Sequence, residues 1–145
     1  MTTTVRTAVI MWLRADPALA ALVGARIYPV LLPQSPTYPA VVVNQITELV
    51  GYQLRGTAGL DETRIQIDAY AQVADGVDAV DLVDRVAHAV DARLSGSLFT
   101  HDTCRVRGCF RINWLDGFAA PEVEAHRVLL EYVIHSRPAP VGALA

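Results

Sequence analysis

The stretch TRIQIDAYA, residues 63–71, alternates apolar and polar side chains almost to its end. The positions expected to face a core are Ile65, Ile67 and Ala69. The positions expected on the opposite face are Arg64, Gln66, Asp68 and Tyr70. A period of two residues is typical of a β-strand with one buried face, so the chain is expected to fold around a sheet.

The segment before this strand predicts a second strand and a connecting arm. AVVVNQI, residues 40–46, is rich in β-branched residues and lacks a clear alternation, which predicts a central strand covered on both faces. GYQLRGTAGLDE, residues 51–62, follows it and contains three glycines. Because this connection is too long for a tight hairpin turn, we expect an exposed mobile arm over residues 51–61.

Apolar residues spaced three and four apart predict helices on both sides of this strand pair. One helix is expected over residues 75–94, with a core-facing side formed by Val80, Val83, Ala87, Val90 and Leu94. Near the start of the chain, the same spacing predicts a helix over residues 5–14. A short second helix is expected over residues 17–23, between an Asp-Pro start and a glycine stop. The proline-rich residues 25–39 are expected to form a loop, extended at most at residues 27–28.

Two further strands are expected near the end of the chain. TCRVRGCFRINW, residues 103–114, alternates so that Arg105, Arg107 and Arg111 share one face with Cys109 and Asn113. The opposite face is predicted to hold Cys104, Val106, Gly108, Phe110, Ile112 and Trp114. EAHRVLLEYVIH, residues 124–135, alternates in the same way, with Val128, Leu130, Tyr132 and Ile134 on one face. We expect these strands to pair as neighbours around a turn at residues 116–121.

The predicted arginine face needs compensation, because like charges side by side on a strand are unfavourable. One interpretation is that carboxylates of the same chain neutralise it, the candidates being Glu122, Glu124, Glu131 and Asp68. The others are contact with acidic side chains of a neighbouring subunit, or a position along a channel that DNA traverses. The net charge of −3 argues against a general nucleic-acid binder and favours the subunit contact.

The order of elements predicts one α+β domain over residues 1–135 with a proline-rich tail over residues 136–145. We expect a mixed, mainly antiparallel sheet of about four to five strands with two helices packed on one face. A chain of 145 residues suits one core. With 52% hydrophobic and only 19% charged residues, some apolar surface is expected to face a partner.

The sequence offers no catalytic motif, and we predict no enzymatic activity, cofactor or metal. The histidines at 88, 101, 126 and 135 are scattered, and the aspartates at 75, 78, 81 and 84 fit a solvated helix flank. Cys104 and Cys109 are expected to be unpaired thiols. We also expect no membrane span and no signal peptide, since the apolar runs are too short.

Several landmarks occur in an order that is itself informative. They are ALAALVGARIYP (18–29), PQSPTYPAVVVNQI (33–46) and RIQIDAYA (64–71), followed by a helix and a closing strand pair. In this order they resemble the tail completion proteins of long-tailed bacteriophages, and the resemblance covers nearly the whole chain. The departures are Ala25 in place of a second glycine and the proline-rich tail.

The resemblance implies a structural virion protein similar to tail terminators, which share an α/β fold of a sheet with two flanking helices. Six copies of such a protein form a ring that caps the tail tube and offers the surface to which the filled head docks. The implied place is the head-proximal end of the virion tail, after assembly in the host cytoplasm. The implied partners are further copies of the chain, the major tail tube protein, a head–tail connector or stopper protein, and DNA passing without sequence-specific binding.

Two groups of residues are expected to serve this role. Arg64, Arg105, Arg107 and Arg111 are predicted at a subunit boundary or the lumen of the ring. Tyr52, Leu54 and Arg55 on the arm are predicted to contact a neighbouring subunit or the tail tube. The resemblance leaves open a head–tail joining role and a gene transfer agent or tail-like particle. The competing hypotheses are a dimeric α/β adaptor unrelated to phage and a small enzyme whose site forms between subunits.

Overall fold

The computed structural model describes residues 4–53, 56–72, 78–118 and 125–138, and of residues 50–53, 56–60 and 118 it describes the backbone alone. Within these ranges the helices are α1 (Val5–Arg14), α2 (Pro17–Val23) and α3 (Ala79–Leu94). The strands are β1 (Ile27–Pro29), β2 (Ala40–Gln53), β3 (Gly56–Gln72), β4 (Phe99–His101), β5 (Cys104–Phe118) and β6 (Ala125–Pro138). Every strand predicted from the sequence is present, together with β1 and β4.

The six strands form one mixed sheet in the order β1-β2-β3-β6-β5-β4. β1 pairs with β2 in parallel, and all other pairs are antiparallel, which confirms the mixed, mainly antiparallel arrangement. The predicted count of four to five strands is too low, because two edge strands of three residues each were not counted. β2 is not central, since only β1 lies beyond it, and the middle of the sheet is the β3–β6 pair.

Side chains near the helix starts explain where the helices begin. The side chain of Thr4 accepts a hydrogen bond from the Thr7 amide, and Asp16 accepts one from the Leu19 amide. Asp78 does the same for α3, accepting from the amides of Val80 and Asp81. Such caps satisfy donors that have no partner within the helix. The predicted limits of α1 and α2 and the predicted end of α3 are confirmed, whereas α3 begins at Ala79 and not at residue 75, because Asp78 caps it.

All three helices pack on the same face of the sheet, where two helices were expected. The core between them holds apolar residues of α1, α2 and α3 together with alternate residues of the strands. The strand residues in this core include Val41, Val43, Ile65, Ile67, Leu130, Tyr132 and Ile134. The predicted inward faces of β3 and β6 are therefore confirmed. Val80 was also predicted to face the core, but it is 49% exposed at the first turn of α3.

The arm between β2 and β3 differs from the expected loop. The ladder between these strands continues beyond Leu49 and Glu62, and its last pairs are Tyr52 with Thr57 and Gln53 with Gly56. The strands are long enough to take up most of the residues that the glycines had marked as a loop. The arm is thus the outer part of a β-hairpin.

Two register shifts in β5 overturn the predicted arginine face. The pairing with β6 slips between Val106 and Gly108, and again between Arg111 and Asn113. Each β-bulge adds one unpaired residue, so the side chains that follow change faces. The helix-covered face therefore receives Cys104, Val106, Cys109, Arg111 and Trp114, while Arg105 and Phe110 lie on the other face.

The last strand extends beyond the predicted end of the domain at residue 135. β6 continues to Pro138, and its last pairs with β5 are Arg137 with Arg105 and Pro138 with Cys104. Ser136 is buried within this ladder. The first three residues assigned to the tail thus form part of the sheet, and residues 139–145 lie outside the described chain.

Candidate interaction surface

The second face of the sheet carries none of the three helices and is in part open to solvent. Its side chains come from the positions between the core residues of β3, β6 and β5. Cross-strand pairing arranges them in rows, one of which runs from Arg64 through Val133 to Phe110. The next row runs from Gln66 through Glu131 to Asn113. We call this the helix-free face.

A buried ion pair anchors one part of the helix-free face. Asp68 is only 2% exposed, and its Oδ1 accepts hydrogen bonds from Arg127 Nε at 3.0 Å and Arg127 Nη2 at 2.8 Å. Gln66 Nε2 donates to the same carboxylate. A carboxylate removed from water is stable only with such partners. Asp68 therefore neutralises Arg127 and not the predicted arginine set.

Apolar side chains lie beside this ion pair and are open to solvent. Phe110 is 54% exposed and Leu115 is 52% exposed, opposite the half-buried Val133 and Leu129. The Phe110 ring contacts His135 edge to face, with centroids 5.8 Å apart. Gly108 makes room for this ring, because a Cβ there would lie 2.9 Å from Phe110 Cε2. Exposed apolar residues grouped in this way indicate a surface that a partner covers.

The four predicted arginines occupy three different environments. Arg64 and Arg105 lie on the helix-free face, four residues apart along the strands. Arg107 is exposed in the first bulge of β5. Arg111 lies on the helix-covered face, where its Nη1 is 3.0 Å from Asp91 Oδ2 on α3. The structure therefore brings Arg64 and Arg105 to one face and separates Arg111 from them.

Arg111 is part of a compact cluster between α3 and the sheet. Asp91 accepts its hydrogen bond together with one of 2.7 Å from the hydroxyl of Tyr132, which is fully buried. Burial and the bond to Asp91 raise the pKa of Tyr132 far above its ordinary value. Trp114 lies beside this cluster and contacts His88, with ring centroids 4.8 Å apart. These contacts hold α3 against β5 and β6.

Four arginines of the sheet have no carboxylate partner among the described side chains. Within the described residues, Arg64, Arg105, Arg107 and Arg137 form no ion pair, and Glu131 forms none either. Glu122 and Glu124, the other predicted partners, lie outside the described residues. Arg105 and Arg137 pair directly across the β5–β6 ladder, which is unfavourable for like charges. The positive charge of these arginines is therefore only partly neutralised within the described chain. An anionic group of a partner would neutralise the rest.

Open strand edges form the second part of the candidate surface. β1 pairs with Val41–Val43 only, so among the described residues no strand lies on the outer side of β2 along residues 44–53. β4 pairs with Cys104–Val106 only, and the amide of Gly96 donates to the Cys109 carbonyl. Beyond that hydrogen bond, residues 110–118 of β5 have no neighbouring strand on their outer side within the described chain. Unpaired edges are templates for association.

Of the predicted arm residues, the structure describes only the backbone of Tyr52. Tyr52 pairs with Thr57 through its backbone, and its side chain is outside the described part. Leu54 and Arg55 lie outside the described residues altogether. Their contact with a neighbouring subunit or tube stays a prediction.

The described side chains contain no arrangement typical of catalysis. A depression of about 350 Å³ lies between the start of α3 and the ends of β5 and β6, and its lining includes Val80, Val83 and Val128. Burial raises the pKa of Cys104 to about 11 and that of Cys109 to about 12, so neither is an activated nucleophile.

Within the described ranges, no group of three or more His, Cys, Asp or Glu side chains could hold a metal ion. In the same ranges, no helix is both long and apolar enough to cross a membrane.

The sequence interpretation missed several members of this surface. Arg137 falls in the predicted tail, and Phe110 and Ile112 fall on the predicted strand face opposite the arginines. Gly108 carried the available signal, because a lone glycine inside a strand pattern often marks a bulge. The Asp68–Arg127 pair had no such signal, since its partners are 59 residues apart.

Comparisons with known proteins agree with this architecture. The family model described as tail completion protein gp17 matches residues 7–134. Among solved structures, a chain from the virion of a native gene transfer agent particle has a TM-score of 0.66 and 23% sequence identity. That match covers 92% of this chain and 93% of the other, and at this identity it shows a shared fold. A search of curated proteins gave no match.

The fold is a mixed six-stranded sheet with all three described helices on one face, and a chain of a gene transfer agent virion shares it. The family match spans most of the chain, and the chain belongs to the tail completion protein gp17 family. It is therefore a structural component of a phage-type tail, as the resemblance implied. The hypothesis of an adaptor unrelated to phage is wrong, because it conflicts with this membership.

Proposed function

We propose that this chain is a tail terminator, which closes as a hexameric ring at the head-proximal end of the tail tube. Membership of the tail completion family is the observation that carries the proposal. In this role the ring ends the tube and provides the surface on which the head connector or stopper docks. The partners are the major tail tube protein on one side and the connector on the other.

The uncovered surfaces of the subunit support a ring. A closed ring of identical subunits needs two different complementary patches on each copy. The open edges of β2 and β5 lie on opposite sides of the sheet and differ in sequence, as such patches must. The composition, with 52% hydrophobic residues, suits a subunit that leaves part of its apolar surface for partners to cover.

The arginines without partners support positions at a boundary and along the lumen. Arg107 lies next to the open part of β5, where it suits a subunit boundary. Arg64, Arg105 and Arg137 share the helix-free face with Glu62 and Glu131. A lining of mixed charge would let DNA pass without being held, since net phosphate neutralisation is what makes binding tight. Arg111 is already paired with Asp91 and contributes less.

The first test is the oligomeric state of the purified protein, measured by native mass spectrometry over a range of concentrations. Negative-stain images of the same sample would show whether the particles are rings with a central hole. A species six times the chain mass of 15.7 kDa, seen as rings, is expected. A stable dimer at every concentration would contradict the proposal. A monomer that forms rings only on added tail tubes would restrict it to assembly on the tube.

A further inference from the structure

The open edges of β2 and β5 both present exposed isoleucines from β-bulges. The β2–β3 register shifts between Gln45 and Thr47, which leaves Ile46 unpaired and 45% exposed. The β5–β6 register shifts between Arg111 and Asn113, which leaves Ile112 unpaired and 41% exposed. Bulges at sheet edges commonly protect against association, and charged side chains are the usual companions of such protection. An isoleucine in each bulge has the opposite effect, because it adds apolar surface to an open edge.

The two edges are also at the same level of the sheet. Thr47 aligns through Arg64 and Val133 with Phe110, and Asn44 aligns through Gln66 and Glu131 with Asn113. The open part of β2 that starts at Asn44 thus lies level with the open part of β5 that starts at Phe110. In a ring whose neighbouring copies are not shifted along the strand direction, residues 44–47 of one copy would lie beside residues 110–113 of the next.

Strand direction permits the same arrangement. β2, β3, β6 and β5 alternate in direction, so β2 and β5 run in opposite directions. Rotation about an axis parallel to the strands leaves their directions unchanged. The β5 edge of one copy would therefore meet the β2 edge of the next in antiparallel orientation, which continues the alternation of the sheet.

Charge and apolar surface on the two edges are complementary. Arg107 is exposed beside the open part of β5, and Glu48 is exposed beside Ile46 on β2. Neither forms an ion pair within the described residues. Glu48 lies at the level of Cys109, two residues from Arg107. Phe110 is exposed at the level of Thr47, next to Ile46.

From these observations we propose that copies of this chain associate edge to edge, with Ile46 of one copy against Phe110 and Ile112 of the next. Glu48 of the first copy then lies beside Arg107 of the second. A linear assembly built by this contact has a free β2 edge at one end and a free β5 edge at the other. It deepens the proposed function, on which it rests for closure into a ring. A two-fold contact between two β5 edges would instead bring Arg107 of both copies to one interface and leave Ile46 uncovered.

The test uses cysteine cross-linking in the full chain. Ile46→Cys, Ile112→Cys and the double variant are treated with a short bis-maleimide and separated on denaturing gels. Cys104 and Cys109 are buried with raised thiol pKa values, so the unmodified chain is the matched control. We expect the double variant to give a series of covalent species reaching the size of the ring. We expect Ile112→Cys alone to remain at the monomer mass.

Two results would overturn the inference. A covalent dimer from Ile112→Cys alone would show a two-fold β5 contact. No cross-links from the double variant, either alone or with added tail tubes, would show that the edges do not meet. Rings without cross-links would leave the proposed function intact, whereas covalent chains without closed rings would support the edge contact and contradict the hexameric cap.

Charge reversal gives a second test in the same double-cysteine background. Glu48→Arg and Arg107→Glu should each reduce the cross-linked fraction severalfold, and the two together should restore it. Thermal unfolding of each variant would verify that it is folded. Equal losses in both single variants and in their combination would overturn the pairing of Glu48 with Arg107.

Discussion

Trp12 on α1 and Arg93 on α3 exchange two hydrogen bonds across 81 residues of sequence. The indole Nε1 donates to the Arg93 carbonyl at 3.1 Å, and Arg93 Nε donates to the Trp12 carbonyl at 3.0 Å. The guanidinium also lies over the indole ring, 3.4 Å from its centroid, and the ring stacks with Phe99 of β4. These contacts hold α1, α3 and β4 together around the Trp12 ring.

Replacing Arg93 should therefore destabilise the fold. Arg93→Ala removes the donor to Trp12 and the cation over its ring, and we expect a loss of about 2 kcal/mol in the free energy of unfolding. Arg85→Ala is the matched control on the same helix, because its ion pair with Asp81 is exposed and should be worth less than about 0.5 kcal/mol. Urea unfolding followed by circular dichroism measures both. Equal losses would contradict the assignment.

The hydroxyl of Tyr132 should contribute more than the guanidinium of Arg111, although both bind Asp91. Tyr132→Phe removes a buried hydrogen bond and should cost about 1–2 kcal/mol. Arg111→Ala removes an ion pair whose arginine is 39% exposed, so solvent screening should limit the loss to about 0.5 kcal/mol. A larger loss for Arg111→Ala in the same urea experiment would reverse this order.

The pair between Asp68 and Arg127 should be costly to break from one side only. Arg127→Met leaves Asp68 buried with Gln66 as its remaining side-chain donor, and we expect a loss of about 2 kcal/mol. This lies below the range for fully buried pairs, because the Arg127 side chain is 30% exposed. Adding Asp68→Leu should recover part of the loss. A double variant less stable than the single one would show that the pair itself stabilises the sheet.

Stability should fall in alkaline solution because of the buried thiols. Folding raises the thiol pKa values of Cys104 and Cys109 from 9.0 to about 11 and about 12. Below pH 9 both states are protonated and the free energy of unfolding is unaffected. Above pH 9 the unfolded chain releases these protons first, so stability decreases as pH rises towards the folded-state values. Tm measured from pH 8 to pH 11 should decline less steeply in Cys104→Ala/Cys109→Ala, and an unchanged slope would contradict this cause.

Shortening the arm should impair assembly without unfolding the domain. Replacing residues 53–59 by a two-residue turn removes the outer hairpin and leaves the β3–β6 ladder, which starts at Asp61, in place. We expect an almost unchanged Tm but loss of rings or of incorporation into tails. Particles with normal tails that contain the shortened protein would show that the arm makes no required contact.

The sequence by itself determined the elements that depend on local chemistry. Alternation identified β3 and β6, apolar spacing identified α1, the Asp-Pro pair identified the start of α2, and the order of landmarks identified the family. The 3.6-residue and two-residue periods arise within single segments, so one chain suffices to reveal them. The same local reasoning failed at Val80, whose exposure depends on how far the sheet extends beneath the first turn of α3.

Only the tertiary structure decided which faces and edges remain uncovered. A bulge moves every following side chain to the other face, and its position depends on pairing with a strand elsewhere in the chain. For this reason Arg111 lies beside Asp91, Phe110 lies on the helix-free face, and the predicted arginine face does not form. The length of β1 and β4 likewise determines which parts of β2 and β5 stay open, because hydrogen-bonding partners come from distant segments and leave no periodic signal in the strand itself.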